Sequence, residues 1–189
     1  MVYRLTKSAK LKLDKSGLLA PGIHEPALHE FREVFVDGFP SSETRDGLYK
    51  GYLSFSQKCV EDSLVTTHWL DGSYVTNKNN PGDIDLAMKV NAAEVAQHVR
   101  KGKPFGHGQP FYRDHLKEKY GCHVFVIMEY PKDDPRYKST TKKDEDYWLD
   151  MWGHTKDQPK KEKGFIQFDL RDGEHCENVN EEIVRIGGV

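Results

Sequence analysis

The stretch Trp69-Leu70-Asp71-Gly72-Ser73-Tyr74-Val75-Thr76-Asn77-Lys78-Asn79-Asn80-Pro81-Gly82-Asp83-Ile84-Asp85-Leu86 constrains this chain more than any other. A Gly-Ser turn and a polar loop separate two apolar runs, a pattern that predicts two neighbouring strands. Side chains alternate faces along a strand, so Asp83 and Asp85 point the same way while Ile84 and Leu86 enter a core. Two carboxylates fixed on a rigid strand offer the oxygen ligands that a hard divalent cation takes, Mg²⁺ or Mn²⁺. The alternative is a pair of surface acids at a strand start. Gly72 has no Cβ, so the backbone can come close to a ligand there. The amides of that turn and the Ser73 hydroxyl suit a phosphate beside the metal. Lys78, in the loop between, is either a point charge for a triphosphate or a loop lysine in water.

The remaining elements are read from periodicity and breakers. Residues 1–24 form an irregular arm, with or without a short strand, ahead of a helix that starts near Pro26, carries Leu28, Phe31 and Phe35, and stops at Gly38 and Pro40. Ser41-Ser42 offers a cap to a second helix, with Leu48, Tyr52, Phe55 and Cys59 on one face. Arg45 and Lys50 on that helix are read as solvent-exposed. Asn91 caps a helix to about Arg100 whose apolar stripe is Ala92, Val95, Ala96 and Val99. A Gly/Pro-rich loop over 101–110, with an exposed His107, leads to a short helix over 111–120 and an apolar strand over 122–130. Residues 131–143 form a polar loop. Asp144 opens a helix with Tyr147, Trp148, Met151 and Trp152, read as core rather than as a base-stacking platform. A basic connector over 154–163 precedes a strand over 164–170, and a short helix spans about 181–186. The sum is one α/β domain over residues 1–189, a mixed twisted sheet backed by helices.

Composition narrows the class. With 189 residues, 37% of them hydrophobic and 31% charged, the chain suits one small core with long polar connections. A net charge of −2 gives no general pull toward nucleic acid. The lysines at 138–143 and 156–163 are read as solvated loops rather than as an RNA-contacting patch. No run reaches the roughly 20 apolar residues of a membrane span, and the N-terminus lacks a signal-peptide core, so a cytoplasmic protein with no membrane partner is expected. Cys59, Cys122 and Cys176 have neither zinc-site nor disulfide-framework spacing.

Gly-Ser, nine residues, then Asp-Ile-Asp resembles the signature of the polymerase-β-type nucleotidyltransferase superfamily. The longer string through Tyr74, Lys78 and Pro81-Gly82 is similar to a narrower, poorly characterised group of bacterial and phage nucleotidyltransferase-like proteins. Leu19-Ala20-Pro21-Gly22-Ile23-His24 resembles that group's start and Lys163-Gly164-Phe165-Ile166 its finish. The resemblance implies a nucleotidyltransferase-like fold and transfer of a nucleoside monophosphate from a nucleoside triphosphate such as ATP to a hydroxyl on RNA, protein or a small molecule. It implies that Asp83 and Asp85 hold Mg²⁺ or Mn²⁺ and that Gly72, Ser73 and Lys78 hold the nucleotide. A toxin–antitoxin or phage-defence setting follows by analogy alone. The group's pattern places an acid where this chain has His123. That histidine is either a ligand or general base in the acid's place, or a locally packed residue. Glu129 and Asp169 are the alternative third acids. The competing expectation is a degenerate fold that binds nucleotide or protein without catalysis.

Overall fold

The alternating apolar runs assemble into a mixed β-sheet with helices on both faces. The structure is a computed structural model that describes residues 5–6, 10–103 and 113–187. Among these residues six strands form one sheet: β1 (Leu5–Thr6), β2 (Gly22–His24), β3 (Val65–Asp71), β4 (Ile84–Asn91), β5 (Cys122–Glu129) and β6 (Gly164–Asp169). Their spatial order is β1-β2-β6-β3-β4-β5. Only β3 is antiparallel to its neighbours; every other pairing is parallel. An α/β fold with a mixed sheet is therefore the architecture.

Strand alternation sorts the two faces. Leu70, Leu86, Val124 and Ile166 share one face, with His68, Met88 and Phe168 in the next row. They pack with helices α1 (Leu28–Arg32), α2 (Arg45–Asp62), α4 (Arg113–Tyr120) and α6 (Gly173–Arg185), which contribute Phe31, Tyr52, Leu53, Phe55, Leu116 and Val179 to the main core. The opposite face carries a smaller core of Trp69, Ala87, Ile127 and Phe165, covered by Trp152 of α5 (Thr141–Trp152). The remaining helix, α3 (Ala92–Arg100), follows β4 directly.

Several boundaries shift from the sequence reading. Gly22–His24 is a strand rather than arm, because its backbone pairs with β6. The first helix continues into a π-helical turn over Glu33–Asp37. Ser42 caps as expected but from the preceding turn, its Oγ accepting from the amide of Arg45 at 3.1 Å. Asn91 caps α3 as read, accepting from the amides of Ala93 and Glu94. The stripe of that helix is shorter than its periodicity suggests: Ala92 and Val95 are buried, whereas Ala96 and Val99 are exposed. Helix α5 begins three residues early because Thr141 Oγ1 donates to the Met128 carbonyl at 2.7 Å and accepts from the Tyr130 amide, docking the turn on β5. Helix α6 is far longer than expected. Asp172 caps its start, and its buried stripe opens with His175, a residue that conceals the apolar pattern.

Residues 104–112 lie outside the described set, and with them His107 and the expected helix start at Phe111. Cys59 and Cys122 are free and buried in the main core, and burial raises both thiols well above their usual range. No helix among the described residues is long and apolar enough to cross a membrane.

Candidate active site

The Gly-Ser turn and the Asp-x-Asp strand form one corner of the sheet. Strand β3 ends at Asp71, and a 3₁₀ turn over Gly72–Val75 follows. Gly72 has φ +80°, a conformation that side chains with a Cβ disfavour. It also lies against the second motif: a Cβ there would stand 2.1 Å from Asp85 Oδ2 and 2.9 Å from its Cγ. Glycine is thus required twice over, by its own backbone and by the carboxylate beside it.

Strand register aligns the ionisable groups. Asp71, Asp85 and His123 are direct partners across β3, β4 and β5, so their side chains share a face. His123 Nδ1 lies 3.1 Å from Asp85 Oδ1. Asp83 comes two residues earlier, immediately before β4, and Lys117 Nζ of α4 is 2.7 Å from its Oδ2. Ile84, between the two acids, is fully buried and fixes which way they point. Lys163, just ahead of β6, makes an ion pair with Asp71, and both residues are buried.

Burial, helped by the nearby Asp85 carboxylate, raises the Asp71 carboxyl to about 6 against the opposing pull of Lys163 and the Gly72 amide. A carboxylate stripped of water is costly unless paired, which accounts for the lysine. Neither Asp71 nor Lys163 was singled out as a site residue from sequence. The signal available was alternation: Asp71 ends β3 on the same face as the acids of β4 once the two strands pair antiparallel.

The other residues fall out as follows. Ser73 lies in the 3₁₀ turn, partly exposed, and its carbonyl accepts from Thr76 Oγ1 at 2.8 Å. Lys78 is exposed on the loop, and its carbonyl accepts from Arg45 at 2.7 Å. Arg45 is not the solvent-exposed residue expected. It is buried and donates to the carbonyls of Phe35, Tyr74, Thr76 and Lys78, tying the loop after the Gly-Ser turn to α2. A guanidinium with five donors can satisfy several carbonyls from one point, and that geometry outweighs the tendency of arginine to reach water. Lys50 pairs with Asp46 at 2.8 Å. Glu129 and Asp169 occupy the far end of the sheet. Glu129 sits opposite Asn91 and accepts from Thr66, and Asp169 sits opposite Thr67 and pairs with Arg171. Neither is positioned to be a third acid.

Segments distant in sequence meet at this corner. Strand β2 within the 19–24 stretch pairs with β6 from Gly22 opposite Gly164. A Cβ on Gly164 would stand 2.2 Å from the Ala20 carbonyl and 2.6 Å from His24 Nε2, so the two stretches touch only because glycine is there. Lys163 then carries that contact to Asp71.

The donor set is hard oxygen, the type that Mg²⁺ or Mn²⁺ takes alongside water and phosphate. Asp83 and Asp85 are the two carboxylates that this corner would offer such a cation. No group of three or more His, Cys, Asp or Glu residues is disposed to enclose a metal among the described residues. No curated protein and no solved structure matches the chain. One family model does, a family of unknown function (DUF6932), and it spans residues 11–169. That range holds every residue of the corner just described, and the chain belongs to this family.

Proposed function

We propose that the protein is a metal-dependent nucleotidyltransferase of the polymerase-β type, moving a nucleoside monophosphate from a nucleoside triphosphate to an acceptor hydroxyl. The observation that carries this reading is the contact between Gly72 and the Asp85 carboxylate. It joins a phosphate-suited turn and a pair of metal-suited acids into one site. Gly72 and Ser73 present the turn to the phosphates, and Lys78 on the following loop adds positive charge. Asp83 and Asp85 hold Mg²⁺ or Mn²⁺, which when bound neutralises charge on the transferring phosphate and the leaving pyrophosphate. The acceptor oxygen bonds to the α-phosphorus as the α–β anhydride bond breaks. In this reading His123, whose Nδ1 lies 3.1 Å from Asp85 Oδ1, takes the proton from the acceptor hydroxyl.

A second reading is a degenerate member of the same fold that binds nucleotide or a partner protein without turnover. It is favoured by Lys117 on Asp83 and His123 on Asp85, which engage both acids from within the chain. Label transfer separates the two. Protein incubated with Mg²⁺ and nucleoside triphosphates labelled at the α- or the γ-phosphate is expected to move only the α-label onto an RNA, protein or small-molecule fraction. Asp85→Ala should abolish transfer while remaining folded; a folded Asp85→Ala protein with full transfer would sink the assignment.

A further inference from the structure

The row behind the candidate site is aromatic, and it runs from the site to the surface. His123, hydrogen-bonded to Asp85, has its ring centre 4.6 Å from that of Phe125. Phe125 is 4.4 Å from Trp148, and Trp148 meets Tyr147 edge-on at 5.1 Å. The direction of α5 places this series correctly. Its first turns lie at the far end of the sheet, where Glu145 pairs with Lys89 and Thr141 bonds β5. Its last turns, with Trp148 and Trp152, therefore approach the Asp85 end. Trp152 is buried over Phe165, whereas Tyr147 is 54% exposed and Met151 40%. The helix thus buries one aromatic edge as core and leaves the adjoining edge, Tyr147 and Met151, in solvent.

We propose that Phe125, Trp148 and Tyr147 form a wall that receives the base of the bound nucleoside triphosphate. This rests on the nucleotide reading above and adds where the base goes. Two ring contacts, of 4.6 Å and 4.4 Å, separate His123 from Trp148, and a base joined through its sugar to phosphates beside Asp85 would fall along them. Stacking of a base on an aromatic side chain tolerates any base, since all present a π-face.

Calorimetric titration of the full chain with Mg²⁺ and either inorganic tripolyphosphate or each of the four ribonucleoside triphosphates tests the wall. At least one nucleotide should bind about tenfold more tightly than tripolyphosphate, the usual scale of a stacked base. Tyr147→Ala, at an exposed position, and Trp148→Ala should shrink that advantage, and Trp148→Phe should retain most of it. Equal affinity for nucleotides and tripolyphosphate would overturn the wall and leave the phosphate site standing. So would a nucleotide advantage that survives both alanine variants. Failure of every ligand to bind would remove the nucleotide reading, and the wall with it.

Discussion

Two constraints meet at Gly72. Its φ of +80° and its contact with Asp85 mean that a methyl group there strains the backbone and displaces a carboxylate. Gly72→Ala should cost at least about 1–2 kcal/mol from the left-handed backbone alone, measured by urea unfolding. Gly82, one residue before Asp83, is the natural control, because a Cβ there meets nothing within 4 Å. Gly82→Ala should stay within about 0.5 kcal/mol of the parent. Equal costs at both glycines would contradict the geometry given for the turn. Arg45 behaves similarly: sequence reads it as an exposed cation, yet carbonyls of the π-helical turn, the 3₁₀ turn and the loop after it claim its guanidinium. Such a role depends on which loops come together, and no local pattern announces that.

At the scale of elements, β3 and α6 share a buried pair of histidines that sets an acid limit on the fold. His68 is enclosed by Tyr52 and Phe55 of α2, and His175 stacks on Phe168. The Nε2 atom of each is buried without a hydrogen bond among the described residues. Burial, with a smaller contribution from His175, lowers His68 to about 3. Burial lowers His175 to about 4, against the opposing pull of Asp172 and Asp169. Both values lie below the unfolded value of about 6.5, so the unfolded chain binds the extra protons. Stability from these groups is complete above pH 6.5 and declines as pH falls toward 4, by roughly 1.4 kcal/mol per pH unit for each histidine. Unfolding midpoints between pH 7 and pH 4.5 should show this slope, and His68→Leu should remove about half of it. A flat profile over that range would contradict the burial of the pair. Element types were legible in sequence wherever periodicity was clean, as in β3, β4, β5, α2 and α3. They were obscured where a polar residue held a core position, as His175 does in α6, or where an element is too short to show a period, as in β2.

For the whole molecule, the sheet matters more than any single motif. The pairing of β3 with β4 and of β4 with β5 brings Asp71, Asp85 and His123 into one row, and β6 delivers Lys163 to it. Asp83, Asp85 and the Gly-Ser turn were visible in sequence because they lie within one short stretch. Asp71 and Lys163 were not, because their significance is a contact between residues 92 positions apart. The most direct test of the central claim is thermal unfolding of the parent and of Asp83→Ala/Asp85→Ala with each ribonucleoside triphosphate, in Mg²⁺, Mn²⁺ or chelator. A ligand at a hundred times its dissociation constant stabilises a fold by about 2.7 kcal/mol, a readily measured shift. The account predicts a metal-dependent rise in the parent that is absent from the double variant and from chelator. No rise with any triphosphate, or the same rise in the double variant, would contradict it.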